Sequence, residues 1–283
     1  MIGDGESDLE LRDGGCPVSG ALTPAMSESW DRDGFILLPG FAESSLLEAM
    51  EARVVELVRA AASGKSIGDA YVVKETKLAA VAVEPEDELA KLFRIHRDET
   101  LFREFLSNEA LLVVLESLLG PDIDCFLSQF IAKRPGALGQ PWHQDSFYFP
   151  FDRGPQVGLW LAVTEARRDN GPLWVVPGSQ VEPIHEVVPD ARPDALLGYV
   201  EIVDYDTSGE IPVLMQPGDL LVFHSHLFHR STDNTSDISR LAMVYHLASG
   251  GTIDQSQERW GYTPPNTDWL PLRRAGRPAE EER

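Results

Sequence analysis

The chain has 283 residues, and its 24 basic and 46 acidic side chains give a formal net charge of −22. A surface of that sign repels nucleic acid and anionic membranes, which makes both poor candidate partners. Hydrophobic residues make up 43% of the chain, enough for a buried core, and no uncharged apolar stretch approaches the roughly 18 residues of a membrane span.

The N-terminal residues 1–22 are rich in Gly, Asp, Glu and Ser, and they predict a flexible leader, with a short docked arm as the alternative. This stretch is acidic and lacks the apolar core of a secretory signal. Cys16 lies in the leader and Cys125 lies in an apolar run. We therefore expect no disulfide and a reducing, cytoplasmic setting.

Helix signals come first along the chain. Thr23 and Pro24 are typical of an N-cap and a first helical position, and Gly34 is typical of a helix end. Residues 35–38 then predict a short buried strand. A second helix is predicted over 44–61, where apolar residues recur at steps of three and four.

The following stretch is less regular. Residues 64–86 predict either a strand pair or a lid over a site. Helical patterns return at 87–96 and at 98–119, with an interruption near Ser107 and Asn108.

The pattern changes after Pro121, where Pro, Gly, Asn and Asp separate short apolar runs. Several short strands at this spacing favour a sandwich or barrel, and the order of helices first and strands later argues against a doubly wound sheet. We predict one domain over 23–263, helical over 23–120 and stranded over 121–263, followed by a loose tail at 264–283. The predicted strands are 125–132, 157–164, 173–176, 200–203, 213–215, 219–224 and 241–247.

The segment from His143 to Asp145 carries the first chemical signal. Side chains two residues apart on a strand point to the same face, so this imidazole and this carboxylate are expected to converge. Together they supply two of the three ligands of a non-haem iron(II) facial triad. Such a pair also occurs by chance in many proteins, so a second histidine has to be found independently.

Strand alternation alone does not choose that second histidine. Arg240 adds a further constraint, since its guanidinium fork suits the distal carboxylate of an iron-chelating 2-oxo acid. We expect Arg240 on a strand next to the one that bears the histidine, with a turn at 233–237 between them. The candidate ligands are His185, His224, His226, His229 and His246.

Three blocks of sequence resemble the signature blocks of the phytanoyl-CoA dioxygenase family. They are HQDSFYFPF (143–151), DNGPLWVVPGSQ (169–180) and GDLLVFHSHLFHRSTDNTSDISR (218–240), and the resemblance covers roughly residues 30–250. It implies His229 as the distal ligand, because the family histidine precedes its arginine by about the gap between His229 and Arg240. The fold that it implies is mainly β, with N-terminal helices and a cupin-like double-stranded β-helix, or jelly roll.

The resemblance also implies the chemistry. It points to iron(II), 2-oxoglutarate as co-substrate, dioxygen, and ascorbate as an optional reductant. The implied reaction is hydroxylation, or a related oxidation, of an unactivated C–H bond in a small organic metabolite, with release of succinate and CO2. Asp145 is present where halogenating members carry a small residue. The family positions that contact the co-substrate correspond to Lys91, Gln129, Trp160 and Ser231.

Alternatives remain open for several of these residues. Trp160 could equally be a core aromatic, and Lys91 could be a solvated helix residue. Gln144, Phe147 and Phe149 are candidate substrate contacts, although the two phenylalanines could simply fill the mouth of the barrel.

Two rival functions follow from the same residues. One is a cupin-like metalloenzyme without a 2-oxo acid, and Arg240 argues against it. The other is a non-catalytic jelly-roll binding module, and an intact triad argues against that. The substrate stays open between an acyl-CoA, a natural product and an amino-acid derivative, because a fold does not fix a substrate.

Overall fold

The computed structural model describes residues 22–196, 198–261 and 268–279. Its helices are α1 (Pro24–Asp33), α2 (Ser44–Ala62), α3 (Thr100–Leu106), α4 (Glu109–Leu119), α5 (Asp145–Tyr148) and α6 (Ser256–Trp260). Its strands are β1 (Phe35–Leu38), β2 (Tyr71–Lys74), β3 (Leu89–Phe93), β4 (Ile123–Lys133), β5 (Val157–Ala162), β6 (Leu173–Val175), β7 (Val187–Pro189), β8 (Val200–Ile202), β9 (Ile211–Val213), β10 (Leu220–His224), β11 (His229–Ser231), β12 (Arg240–Ser249), β13 (Leu270–Arg274) and β14 (Arg277–Pro278).

Antiparallel pairing joins these strands into two main sheets. The larger sheet has nine strands and runs β1-β10-β5-β12-β4-β13-β14, with β3 also paired to β4 and β2 paired to β3. The smaller sheet runs β11-β6-β9, and β7 and β8 form a separate pair. Apolar side chains of both main sheets share one buried cluster between them. This arrangement confirms the predicted mainly β chain with N-terminal helices and a jelly-roll core.

Strand β12 shows how the larger sheet divides its two faces. Leu241, Met243 and Tyr245 join the buried cluster formed with the N-terminal helices. Ala242 and Val244 join the cluster that faces the smaller sheet. Because successive side chains of a strand point to opposite faces, one strand contributes to both cores.

The first two helices and the first strand lie where the sequence predicts them. The Thr23 side chain accepts a hydrogen bond from the Met26 backbone and caps α1, while Gly34 ends the helix in the left-handed region at φ 82°. The apolar face of α2 is buried against the core. The predicted break at residues 107–108 is also present, because the Asn108 side chain caps α4 by accepting from the Leu111 backbone.

The helix predicted over 87–96 is wrong. Residues Leu89–Phe93 form a strand, β3, that lies between β2 and β4 in the larger sheet. Four of its five residues are buried, so the alternation that would have identified a half-exposed strand is missing. The 64–86 stretch contains one strand, Tyr71–Lys74, which pairs with β3 outside the stretch and not with a second strand inside it.

The loose tail predicted at 264–283 is wrong for its described part. Leu270–Arg274 pairs with β4 and extends the larger sheet. The pairing buries Leu272, and Arg273 forms ion pairs with Glu109 and Glu116 of α4. These contacts fix a segment that looks unstructured by composition.

The remaining sequence predictions concern the leader, the cysteines and a membrane span. The leader, including Cys16, lies outside the described residues apart from residue 22. Cys125 is buried and forms no disulfide with any residue that the structure describes. None of the helices in the described ranges is long and apolar enough to cross a membrane.

Candidate metal centre

A cavity of about 440 Å³ lies between the two main sheets. Its walls carry side chains of both sheets and of the loops that join them. All three predicted metal ligands line it, as do Arg240 and the four residues that the family resemblance assigns to the co-substrate. The fold therefore brings into one cavity residues that are spread over 150 positions of sequence, from Lys91 to Arg240.

His143, Asp145 and His229 form a compact buried group. One ligand atom from each lies within 4.8 Å of the other two. The Oδ1 atom of Asp145 is 3.5 Å from Nε2 of His143 and 3.6 Å from Nε2 of His229. Two imidazoles and one carboxylate at such spacing match the donor set of a facial triad, with open positions left for other ligands.

The backbone that holds these ligands differs from the predicted strand. His143 and His229 form an isolated antiparallel bridge, in which each backbone N–H donates to the other carbonyl at 3.0 and 3.1 Å. Asp145 is the first residue of the four-residue helix α5. The two predicted neighbours do converge, but through a bridge followed by a helical turn and not through alternation along a strand.

Local hydrogen bonds fix which ring nitrogen of each histidine faces the site. Nδ1 of His143 lies 2.8 Å from the Pro141 carbonyl, and Nδ1 of His229 lies 2.9 Å from the Leu227 carbonyl. A carbonyl can only accept, so both Nδ1 atoms carry a proton, and in the neutral rings both Nε2 atoms are bare, that is, unprotonated. The amide nitrogen of Gln140 lies 3.0 Å from Nε2 of His143 and donates to it. Burial, and next the His143 ring, lower the pKa of His229 to about 4, which keeps that ring neutral.

The surroundings of the Asp145 carboxylate indicate whether a metal ion fits the site. Its Oδ2 atom is buried and has no hydrogen-bond partner among the described residues. Burial opposes its ionisation, but the surrounding imidazoles outweigh that effect, and the pKa of Asp145 is lowered. An ionised, incompletely paired carboxylate beside two bare imidazole nitrogens is a donor set that a divalent cation would complete.

The other candidate histidines have different surroundings. The His224 ring packs against Trp30, and its Nδ1 accepts the His226 backbone N–H. His226 Nδ1 lies 3.2 Å from the Glu182 carbonyl, and His185 packs edge-on against Phe228. The structure thus brings only His229 and His246 of the five candidates to the cavity lining that it describes.

His246 is a site residue that the sequence reasoning left without a partner. It is 4% exposed, and its Nδ1 atom lies 3.5 Å from Oδ2 of Asp145. His246 stands six residues after Arg240 on β12, so both side chains fall on the same face of the strand. The even spacing between Arg240 and His246 is the sequence feature that could have placed His246 in the site.

Arg240 lies at the opposite end of the cavity. It is 1% exposed, its Nε donates to the Gly171 carbonyl at 3.1 Å, and its guanidinium carbon lies 5.2 Å from the ring centroid of Trp160. Its Nη1 has no hydrogen-bond partner within the described part of the chain. Burial lowers the pKa of Arg240 to about 10. A buried guanidinium with a spare N–H is suited to an anion.

The expectation that Arg240 lies on a strand next to that of His229 is wrong. His229 begins β11 in the smaller sheet, and Arg240 begins β12 in the larger one. The connection that holds the predicted turn passes from one sheet to the other. The two side chains therefore reach the cavity from facing sheets and not from paired strands.

Two lysines add positive charge near Arg240. Lys133, which the sequence reasoning missed, is opposite Arg240 in the register of β4 and β12, and its Nζ donates to the Ser231 hydroxyl and the Thr232 carbonyl, both at 2.7 Å. Lys91 lies on β3, buried and not on a solvated helix, with its Nζ 3.4 Å from Oε1 of Gln140. Burial lowers the pKa of Lys91 to about 8 and that of Lys133 well below its usual value.

The remaining predicted contacts divide into two groups. Gln129 lines the cavity with its amide nitrogen 3.0 Å from Nε2 of His246, and Phe149 packs on the same ring at 5.2 Å between centroids. Phe147 packs on Tyr148 and is absent from the cavity lining among the residues described.

Gln144 belongs with Phe147, outside the cavity. Its side chain is fully buried and donates to the Pro183 and His226 carbonyls at 3.0 and 3.1 Å. Its Oε1 accepts the His185 backbone N–H at 2.9 Å. Lying between two ligands that face the site, Gln144 points the other way and secures a loop.

The fold and the site together define a class of protein, namely jelly rolls that carry a buried group of two histidines and one carboxylate. The sequence model of the phytanoyl-CoA dioxygenase (PhyH) family matches residues 30–242. The chain therefore belongs to that family, as its three sequence blocks indicate.

Curated relatives align over most of the chain. Phytanoyl-CoA dioxygenase 1 of Oryza sativa subsp. japonica is 25% identical over 276 residues, which cover 86% of this chain and 95% of that protein. Phytanoyl-CoA dioxygenase domain-containing protein 1 of Bos taurus is 28% identical over 289 residues, which cover 89% of this chain and 98% of that protein.

Solved structures share the fold. EctD from S. alaskensis, crystallised with 2-oxoglutarate and 5-hydroxyectoine, superposes with a TM-score of 0.64 at 20% identity, over 82% of this chain and 78% of that one. The epimerase SnoN, in complex with Fe3+, alpha ketoglutarate and nogalamycin RO, also has a TM-score of 0.64, at 18% identity, over 91% of this chain and 95% of that one.

Proposed function

We propose that this protein is an iron(II)- and 2-oxoglutarate-dependent dioxygenase that hydroxylates an unactivated C–H bond of a small organic metabolite. The observation that carries the proposal is that one cavity contains both a metal-type donor group and a buried cation. A metal-type donor group of His143, Asp145 and His229 lies at one end, and the incompletely paired guanidinium of Arg240 lies at the other.

In this proposal His143, Asp145 and His229 hold the iron. Arg240 binds the distal carboxylate of 2-oxoglutarate, since a buried guanidinium binds a carboxylate through short, charge-assisted hydrogen bonds. The further co-substrate contacts are Lys91, Gln129, Trp160 and Ser231, all of which line the same cavity.

Bound iron and 2-oxoglutarate, with dioxygen, supply the oxidising chemistry and release succinate and CO2. The protein supplies binding and orientation. Lys91, Lys133 and Arg240 line this cavity, and burial lowers the pKa of each, so a bound anion would stabilise their charged forms. Ascorbate would serve only to keep the iron ferrous.

The substrate side of the cavity is apolar. Phe149, Phe93 and Leu127 line it, and Phe149 and Phe93 pack against the buried cluster of Phe126 and Leu127. Such walls suit a hydrocarbon part of a metabolite, because burying apolar surface is favourable by about 25 cal/mol per Å². The Oryza sativa relative is named a phytanoyl-CoA dioxygenase, and EctD was crystallised with 5-hydroxyectoine, so the proposed substrate class is a small organic metabolite.

The test has two stages. Iron(II) and 2-oxoglutarate are first added to the purified protein without oxygen, and we expect a visible charge-transfer band that requires both. Oxygen and a metabolite extract are then admitted, and mass spectrometry follows succinate release together with a mass gain of one oxygen atom.

An Asp145→Ala variant serves as the matched control, because it retains the fold's apolar cores and lacks the carboxylate ligand. No band with the wild-type protein, or equal succinate release by the wild type and the variant, would contradict the proposal.

A further inference from the structure

The two oxygen atoms of Asp145 have different neighbours. Oδ1 lies 3.5 and 3.6 Å from the bare Nε2 atoms of His143 and His229. Oδ2 lies 3.5 Å from Nδ1 of His246. His246 itself is outside the group of mutually close ligand atoms. Oδ1 is thus the carboxylate oxygen closest to both imidazole nitrogens.

A neighbouring amide determines which ring nitrogen of His246 carries the proton. Nε2 of Gln129 lies 3.0 Å from Nε2 of His246. An amide nitrogen can only donate, so the ring atom that it meets is bare and the proton resides on Nδ1. Nδ1–H then lies 3.5 Å from Oδ2 of Asp145, which makes an electrostatic contact with that oxygen and not a hydrogen bond. The opposite tautomer would set a nitrogen lone pair against a carboxylate oxygen.

We propose that His246 is a positioning residue for the metal-binding carboxylate. Its Nδ1–H attracts Oδ2 of Asp145 across 3.5 Å, so that Oδ1 is presented to the metal, and Gln129 fixes the tautomer that makes this attraction possible. The inference rests on the proposed iron site. It also gives Gln129 a role that acts through His246, in addition to any contact with the co-substrate.

The rival explanation for His246 is packing. Its ring lies 5.9 Å from the centroid of Phe126 and 5.2 Å from that of Phe149, so a phenylalanine at position 246 would fill the same space. An asparagine there would fill less space but would keep an N–H close to the place of Nδ1. Phenylalanine and asparagine therefore separate shape from the electrostatic contact.

The experiment measures Co(II) affinity of the metal-free protein by calorimetry, without 2-oxoglutarate or turnover. Outer partners of metal ligands typically contribute about 10- to 100-fold to metal affinity. We expect His246→Phe to weaken Co(II) binding by about that factor. His246→Asn should bind within a few-fold of the wild type, and Gln129→Leu should fall between the two. Thermal melts of the metal-free variants check folding.

Each outcome has one meaning. His246→Phe at wild-type affinity, or His246→Asn as weak as His246→Phe, would overturn the positioning role in favour of packing. If His246→Phe does not fold, Gln129→Leu decides, because wild-type Co(II) affinity in that variant would overturn the relay. Absence of Co(II) binding by the wild type itself would instead contradict the metal site and the proposed function with it.

Discussion

The two ends of the cavity are built in different ways. The metal end is the end that holds His143, Asp145 and His229. Its ligands come from one isolated bridge and from the start of a four-residue helix. Hydrogen bonds to the carbonyls of Pro141 and Leu227 orient the two imidazoles. At the anion end, Arg240 and Lys133 face each other across the paired strands β12 and β4, of 10 and 11 residues. Local contacts aim the first group, and sheet register aims the second.

Because of this difference, we expect substitutions at the two ends to change different binding properties. A change at the metal end should affect metal affinity and leave anion binding to the metal-free protein, whereas a change at the anion end should do the reverse. A substitution on the helix-facing side of β12 should affect neither metal nor anion binding and should change only the stability of the fold.

The largest effect is expected for His229→Ala. The variant keeps only two of three ligands, so its iron(II) affinity should fall by more than the roughly 100-fold that a supporting residue can cost. Anaerobic calorimetry measures this loss. His226→Ala is the matched control, since His226 contacts the Glu182 carbonyl outside the cavity. Loss of iron binding in His226→Ala with retention in His229→Ala would reverse the assignment.

Arg240→Met should have the next largest effect. It removes a charge-assisted bond to the distal carboxylate, worth about 1.5–3 kcal/mol, so the KM for 2-oxoglutarate should rise by about 10- to 100-fold while iron affinity stays unchanged. Steady-state kinetics and iron titration measure the two quantities.

Arg230→Met provides the control for Arg240→Met. Arg230 pairs with Glu210 and lies over the rings of Trp142 and Trp174, away from the cavity lining. An unchanged KM in Arg240→Met would mean that the anion is held elsewhere.

A smaller effect, on stability, is expected for Lys91→Met. Burial lowers the folded-state pKa of Lys91 to about 8, from 10.5. Below pH 8 both states hold the proton and the folded state bears its full cost, about 3 kcal/mol. Between pH 8 and 10.5 the unfolded state holds more protons, so this contribution to stability rises with pH.

The variant should therefore unfold at higher urea concentration than the wild type at pH 7, when both lack metal and 2-oxoglutarate. The difference should shrink at pH 9, and bound 2-oxoglutarate should remove it by offsetting the charge of the lysine. A variant less stable than the wild type at pH 7 would show that Lys91 is compensated by its surroundings.

The smallest effect is expected for Tyr245→Phe. The Tyr245 hydroxyl donates to the Phe102 carbonyl at 2.9 Å, on the helix-facing side of β12. Loss of this buried bond should lower the free energy of unfolding by about 1–2 kcal/mol. Urea unfolding measures it, and metal and 2-oxoglutarate affinities should not change. A shift in either affinity would show that the two faces of the strand are coupled.

The sequence predicted best what depends on neighbouring residues. The cap at Thr23, the stop at Gly34 and the break at Asn108 are local hydrogen-bond and dihedral effects, and all three are present. Strands β3 and β13 were missed because distant pairing with β4 creates them. The latter contains Pro271, at an irregularity in the register where a missing N–H is tolerated.

The site shows the same division. The spacing of His143 and Asp145 identified a pair of ligands but not the bridge and helix that hold them. The distal histidine needed the family resemblance, because five histidines fitted the local pattern. Lys133 was missed and His246 was left without a partner, because the significance of these residues depends on the register of β4 against β12 and on a carboxylate about 100 positions away.

Strand β12 fixes the distance between two buried residues of the site. Arg240 and His246 stand on one face of it, six residues apart, which corresponds to a rise of about 20 Å between their backbones. Inserting one residue between them would turn the guanidinium to the helix side, and inserting two would lengthen the span by about 7 Å. If the cavity binds a dicarboxylate as proposed, the spacing along this strand contributes to the length that fits between Arg240 and Asp145.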